Sequence, residues 1–563
     1  MPSAGSHVQT DVLIIGCGIS GAVAALRLAQ DPKLRITVIT GAEDALESNT
    51  FYAQGGIIGR GPNDSADLLI EDIERAGAGL SNPAAVRIVA HEGPPLLQEL
   101  LVHKLCVPFA TIQGNGLEYI KEAAHSTERI LHVGDFTGKA IQEKLVAALC
   151  ATSNIQVLAR QTAVDLLTPA HHALNRRSVY DPLSCVGAYV FDQSTGKVNA
   201  YLARKTILAT GGLGRIFLHS TNPPRARGDG LAMAYNAGAR IINAEYVQFH
   251  PTAFYYRNEV HFLVTEAVRG AGGRLVDGHG KPFMQKYDPE WKDLAPRDVV
   301  ARSIHREMLA TGSKSVFLDL RSYVPADKIK THFPDICRRA LELGVDITRD
   351  LIPVVPAAHY FCGGVWVDPN GHTSVNNLFA VGEVSCTGLH GANRLGSTSL
   401  LEGLVWGTRV AGEIERTLQE PGVDAAEIPF WQDEGLTEAP DPALIRSGLL
   451  AGYAVSKGMW LLDNRIAYTS SGRLIDDPFF TGYRILDSLP FNLSQLRERL
   501  KSLHAGTVTV KKRGFPLEPE EILRKLALTG DRPVTIVLTR IGKRHHVYIV
   551  ENYRTCDARN DKR

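Results

Sequence analysis

Val12 to Ile15 form an unbroken apolar run, and the residues after it take helical spacing from Ala22 to Ala29 before a second apolar stretch closes at Thr40. A strand buried on both faces reads as a continuous run rather than an alternation, and the 3.6-residue period that follows fits a helix laid against it. The turn between them is Gly16-Cys17-Gly18-Ile19-Ser20-Gly21. The first glycine allows a tight turn, the second lets backbone approach a pyrophosphate, and the third lets helix pack on strand. The free N–H groups of the helix N-terminus then face the phosphates. Because this turn sits between a strand and a helix near the N-terminus, the pattern predicts a dinucleotide site. One expected feature is missing: the second strand ends at Thr40-Gly41, without the acidic residue that usually takes ribose hydroxyls.

Two distant segments carry the same kind of pattern. "ARKTILATGGLG" (203–214) is an apolar strand running into paired glycines, and "NNLFAVGEV" (376–384) is a strand ending at Gly382-Glu383. A dinucleotide domain whose last strands arrive after long insertions is how flavin-binding oxidoreductases are built. The expected fold is therefore α/β: a discontinuous Rossmann-like FAD-binding domain over 1–239 and 361–416, with an inserted α+β capping domain over 240–360. Residues 417–445 are rich in Pro, Glu and Asp, so 417–463 reads as a linker with a helical segment. From 464 to 563 the chain changes character. Strands "GTVTVKK", "VTIVLTR" and "HHVYIVENY" surround a helix opened by Pro519 and Glu520, and the last ten residues read as disordered.

Composition narrows the function classes. The 563 residues suffice for about three or four structural units. With 61 basic and 60 acidic residues, the net charge of +1 gives no field for capturing nucleic acid or an anionic membrane. The eight cysteines are scattered with no C-x-x-C pair, against an iron–sulfur cluster, a zinc ribbon or a disulfide framework, and no metal site is expected. The segment "MPSAGSHVQT" lacks the charged and apolar regions of a signal peptide, and no run of eighteen apolar residues occurs. A cytoplasmic location is expected.

Between the glycine-rich segments lie polar groups that a dinucleotide scaffold does not require: His250, Thr265, Glu266, Arg269, Arg297, Arg302, His359, His390, Arg394 and Ser399. Singly, each has an ordinary explanation, an Arg as a solvated surface residue and a His beside Pro as a satisfied loop residue. Together their motifs, "SNTFYAQGGI", "RILHVGDFTGKA", "FHPTAFY", "LVTEAVRGAGG", "LAPRDVVARSI", "PAAHYFCGGVWVD" and "GEVSCTGLHGANRLGSTSLLEGLVWG", occur in the order seen in the succinate dehydrogenase/fumarate reductase flavoprotein family. Within that family they most resemble the L-aspartate oxidases, flavoenzymes of bacterial-type NAD biosynthesis, over residues 10–415.

The resemblance implies oxidation of L-aspartate to iminosuccinate by hydride transfer to FAD, with reoxidation by O2 or fumarate and hand-off of the unstable product to quinolinate synthase. The alternative is a soluble fumarate reductase or succinate-oxidising flavoprotein. It assigns the cofactor to Gly16 through Gly21 (Gly16, Cys17, Gly18, Ile19, Ser20, Gly21) and to Asn49, Thr50, Phe51, Tyr52, Ala53, Gln54, Gly55 and Gly56. Ala163, Val164, Gly211, Gly212, Asp229, Glu383, Ser399 and Leu400 complete that set. Gly55 and Gly56 are expected to let backbone approach the flavin. Asn49 stands where the membrane-complex relatives carry the histidine bonded covalently to FAD, so FAD is expected to be non-covalent.

For the substrate, the resemblance makes His250, Thr265, His359 and Arg394 the clamp on two carboxylates, for which a planar, permanently charged fork is well suited. It makes Arg297 the proton-transferring residue, a role that for an arginine requires a crowded cationic pocket and a relay. Glu122 would face the substrate amine, since a buried ammonium needs an anionic partner. Its ordinary alternative is a surface carboxylate paired with Lys121 or Arg129. Ala123-Ala124 stand where the family pattern leads one to expect two glycines. Beyond the flavin region, residues 464–551 resemble the small THUMP-like domain, some relatives of which bind RNA. Lys511, Lys512, Arg513, Arg540, Lys543 and Arg544 make only a modest basic tilt, which favours an appended structural module over RNA binding.

Overall fold

The computed structural model describes residues 7–418, 428, 460–463, 466–470 and 483–552, apart from 113–115, 123, 135, 174–175, 258, 513–514, 518, 527 and 542–543. The chain divides into two compact units, Met1–Trp431 and Gln432–Arg563. The linker expected over 417–445 lies almost wholly outside the described residues, as do the last ten residues and Cys556.

In the first unit the apolar run is the strand His7–Ile15, central in a seven-stranded sheet. It pairs in parallel with Ile36–Ile39 on one side and Lys197–Leu208 on the other. Its side chains alternate between two cores, Val12 and Ile14 joining one and Leu13 and Ile15 the other, which is why the run is apolar at every position. The late strand Leu378–Ala380 returns to pair in parallel with Lys197–Leu208.

The helix Ile19–Leu28 packs against Thr398–Thr417. Gly403 and Gly407, one turn apart on the second helix, permit that approach. A Cβ at Gly403 would lie 2.6 Å from Ser20 Oγ, and one at Gly407 would lie 2.7 Å from the Ser20 carbonyl. Gly16, with φ +120, is where the turn crosses the neighbouring strand, and a Cβ there would stand 2.1 Å from the Ala209 carbonyl oxygen.

A second, five-stranded sheet runs in the order Glu259–Leu263, Val247–Tyr256, Ile352–Phe361, Val316–Asp319, Arg274–Val276. With the helix Arg297–Thr311 it has its own core, centred on Phe254, Val300, Ile304, Leu318 and Val354. Val247–Tyr256 and Ile352–Phe361 pair antiparallel with a register shift: Gln248 faces Tyr360, but Phe249 faces Ala358. The bulge leaves His359 out of the pairing and re-aims its side chain.

The second unit is a four-stranded sheet in the order Tyr483–Pro490, Arg544–Asn552, Arg532–Ile541, Ala505–Lys512. The last two strands are parallel, so the chain between them must cross over, and it does so through the helix Pro519–Leu526. That helix and Leu493–Ser502 bury Ile522, Leu526, Leu496 and Leu500 against Ile536, Leu538, Val547 and Ile549. Among the described residues no helix is long and apolar enough to cross a membrane.

Candidate active site

A cavity of about 1270 Å³ in the first unit begins at the glycine turn and ends under the five-stranded sheet. Its lining includes Gly16, Cys17, Gly18, Ile19, Ser20, Asn49, Thr50, Tyr52, Ala53, Gln54, Gly55, Gly56, Ala163, Gly211, Asp229, Glu383, Ser399 and Leu400. It also includes every residue expected to touch substrate: Glu122, His250, Thr265, Arg297, His359 and Arg394. Four expected cofactor residues are not in the lining. Gly21 packs helix on strand, Phe51 sits edge-on to Tyr52 under Lys139, Val164 is bulged out of its strand pairing, and Gly212 lies under Glu383.

The lining of the first half fits a dinucleotide. Gln54 Oε1 and Asn49 Oδ1 are buried acceptors without a protein partner, as ligand-facing groups should be. The loop is anchored by Thr50 Oγ1, which accepts from the Ile19 N–H at 3.0 Å, while Gln142 holds the Cys17 carbonyl at 2.7 Å. Asn49 Nδ2 donates to Glu383 at 2.6 Å, the carboxylate also accepting from the Phe361 N–H. Burial pushes the Glu383 carboxyl up to about 7. Gly56 also packs closely against the strand Ile130–Leu131. A Cβ there would strike Ile130 Cγ2 at 2.1 Å and the Leu131 carbonyl at 2.3 Å, so its bareness serves packing. At Gly41, where an acidic residue is missing, the Arg225 side chain reaches in instead, 2.8 Å from where a Cβ would be.

The far half of the cavity is lined by two arginines, Arg297 and Arg394, and by the carboxylates of Glu266 and Glu122. Arg297 is the first residue of its helix and donates from Nε to Glu266 Oε2 at 2.8 Å, and the other oxygen of Glu266 pairs with buried Arg269 at 3.1 Å. Arg297, Glu266 and Arg269 thus form one hydrogen-bonded row. Burial alone would raise the Glu266 carboxyl, but Arg297 and Arg269 together hold it below its ordinary value. Arg297 Nη1 is buried without a partner. Arg394 is buried with its guanidinium 4.6 Å from the centre of the Tyr360 ring, and its Nε also lacks a partner. Behind it, Tyr360, His390 and Thr387 all bond buried Glu402. His390, a sequence candidate, is thus held by Glu402 behind Arg394 and does not line the cavity. Arg302, another, is a surface residue paired with Asp298.

His250 and His359 meet edge to face, 5.2 Å between centroids. The Thr252 N–H donates to His250 Nδ1 at 3.2 Å, which leaves the proton of the neutral ring on Nε2. Thr221 Oγ1 lies 2.9 Å from His359 Nδ1. Burial, then the charges of Arg297, His359, Arg269 and Arg394, holds His250 well below the ordinary imidazole value. His359 is lowered likewise by burial, Arg394 and Arg297. Both values fall on folding, so the unfolded chain takes up these protons first as pH drops. The pair's contribution to stability is present above the unfolded value near 6.5 and is lost on acidification below it. The ligand-free protein should melt at progressively lower temperature from pH 7.5 to 5.5, and His359→Gln should flatten that slope in thermal unfolding curves. An unchanged slope would assign it to other groups.

Glu122 is engaged in the cavity and not on the surface. Its Oε2 accepts from Ser397 Oγ at 2.8 Å, and its Oε1 lies 3.4 Å from the Gly56 N–H. Its alternative partners are occupied elsewhere: Lys121 bonds the Ser126 carbonyl, and Arg129 pairs with Asp64 and Asp72. Ala124, in the same turn, holds φ +65, a left-handed conformation that glycine adopts without strain. Ala123 lies outside the described residues. Ser397, Thr221 and Arg225 were not legible as site residues, since each becomes one only by meeting a distant segment.

Residues 11–400 match the FAD binding domain family, and residues 480–552 match the THUMP domain-like family. The chain is 41% identical over 448 residues to L-aspartate oxidase of Pseudomonas aeruginosa, covering 78% of this chain and 80% of that one. It is 43% identical over 440 residues to L-aspartate oxidase 1 of Ralstonia nicotianae, covering 77% and 80%. A mutant Escherichia coli quinol fumarate reductase chain superposes with a TM-score of 0.71 at 28% identity, over 80% of this chain and 79% of that one. FAD is the dinucleotide that the first half of the cavity takes. By sequence likeness over most of both chains, this protein belongs to the L-aspartate oxidase family of FAD-binding flavoproteins.

Proposed function

We propose that the chain oxidises L-aspartate to iminosuccinate, the first step of de novo NAD biosynthesis through quinolinate, with O2 or fumarate as terminal acceptor. The observation that carries this reading is Glu122, a carboxylate bonded to Ser397 inside the pocket that Arg297 and Arg394 also line. A C4 dicarboxylate needs cations at both ends, and only one bearing an amine needs an anion between them.

Arg394 and His359 take one carboxylate, and His250 Nε2–H and Thr265 take the other. Glu122 receives the ammonium and so fixes which face of C2 is presented. Bound FAD supplies the two-electron acceptor for the hydride leaving C2. The ammonium first gives up a proton, for which Arg297, backed by Glu266 and Arg269, is the exit; the lone pair so freed closes the C=N bond as the hydride leaves C2, giving the protonated imine. In fumarate reduction the same row delivers a proton to carbon. The imine hydrolyses in water, which supports direct use by a quinolinate synthase in the cytoplasm. The second unit, in which Lys511, Lys512, Arg513, Arg540, Lys543 and Arg544 make only a modest basic tilt, is a structural appendage, and absence of retention of structured RNA on a filter would agree.

Mixing the protein anaerobically with L-aspartate should bleach the yellow flavin band. Bleaching by succinate and not by aspartate would overturn this reading in favour of a succinate-oxidising flavoprotein. Asn49 cannot form the covalent bond that a histidine makes to the flavin, so acid precipitation should leave all the yellow colour in the supernatant. Flavin retained in the pellet would contradict it.

A further inference from the structure

Ser397 occupies an unusual place. It is the residue before the helix Thr398–Thr417, where a serine hydroxyl ordinarily accepts from an N–H two or three residues on, yet it makes no such bond. It also holds φ +57, a left-handed conformation that is unfavourable for a residue with a Cβ. Two local preferences are set aside at once, a pattern that collects at functional sites. The hydroxyl instead donates to Glu122 Oε2 at 2.8 Å and accepts from the Gly56 N–H at 3.3 Å. Next to it, Gly396 lies close to both Glu122 and Arg297: a Cβ there would stand 2.9 Å from Glu122 Oε2 and 3.3 Å from Arg297 Nη2. The Gly396 carbonyl is also 3.2 Å from His125 Nε2, which ties the far end of the Glu122 turn to the same loop.

We infer that Ser397 is a positioning residue that sets selectivity for amine-bearing substrates. Its hydroxyl holds one oxygen of Glu122 and leaves the other, which has only the long 3.4 Å contact to the Gly56 N–H, for an ammonium. Because Arg394 lies three residues earlier on the same loop, the carboxylate clamp and the ammonium acceptor are registered to each other through Ser397. A dicarboxylate without an amine uses the clamp and not this bond. The inference rests on the proposed oxidation of L-aspartate.

The test compares Ser397→Ala with wild type in aspartate oxidation, using a dye acceptor, and in fumarate reduction, using a reduced viologen. A hydrogen bond to a charged group predicts a loss of about tenfold in kcat/KM for aspartate, mostly in KM, with fumarate reduction and succinate binding changed less than about twofold. Ser397→Asn, which tolerates the left-handed conformation and restores a donor, should recover part of the loss. Ser397→Gly removes the hydroxyl and the backbone strain together, so it folds even if the alanine variant does not, and it should show the same imbalance. Equal losses in both reactions, or none for aspartate, would overturn the inference. Wild-type protein that fails to reduce its flavin with L-aspartate would instead overturn the functional reading, and this inference with it.

Discussion

Replacing Arg297 by lysine is expected to lower aspartate oxidation and fumarate reduction alike by about a thousandfold, the middle of the range for a positioned acid–base group. Lysine keeps the positive charge, so a merely electrostatic role would survive the change. What it loses is the planar fork. Arg297 uses Nε on Glu266 at 2.8 Å while Nη1 stays without a protein partner in the cavity wall, and one ammonium cannot occupy both positions. The proposed relay is thereby cut at its first link, and the partly uncompensated Glu266 remains buried beside Arg269. Arg297 stands on the second sheet's helix, away from the glycine turn, so the variant should retain its FAD, as read from the ratio of flavin to protein absorbance. A loss in both reactions of less than tenfold would place proton transfer elsewhere.

Glu122→Gln should separate the two candidate substrates. It keeps shape and a hydrogen-bonding group but removes the charge that offsets a buried ammonium, so kcat/KM for L-aspartate should fall about a hundredfold. Fumarate and succinate carry no ammonium, and fumarate reduction should stay within about threefold of wild type or rise, because one anion has been removed from a pocket that binds dianions. Parallel losses would favour the fumarate reductase reading, with Glu122 a structural partner of Ser397. Ala124 bears on the same point. Its left-handed φ of +65 costs stability that glycine would not, and the Glu122 turn is nonetheless closed, with the His125 N–H bonded to the Glu122 carbonyl at 3.2 Å. With alanine at this position the carboxylate still lies in the cavity.

Much of the first unit was legible because its signals are local. A continuous apolar run flanked by a G-x-G-x-x-G turn and a helical period depends only on neighbours in the chain, and the parallel strand, the tight turn at Gly16 and the helix follow from it. The strand-like segments at 203–214 and 376–384 were readable for the same reason, although which strand they would pair with was not. The candidate cluster was less legible residue by residue. Arg302 and His390 have the same chemistry as Arg297 and His359, and only their surroundings, an aspartate at the surface and a buried glutamate, remove them from the cavity.

What the sequence determined by itself was therefore the class of fold, the phosphate-facing turn and the inventory of cations and histidines. These are properties of composition and short-range periodicity. What only the tertiary structure decided was partnership. Glu122 meets Ser397 across 275 residues and Asn49 meets Glu383 across 334, and His359 turns toward His250 because a one-residue register shift leaves it out of the strand pairing. Such contacts depend on side-chain direction at the ends of separate elements, which helix and strand periods do not specify. The distinction between a glutamate paired with its neighbours and one that faces a substrate amine lies in that direction alone.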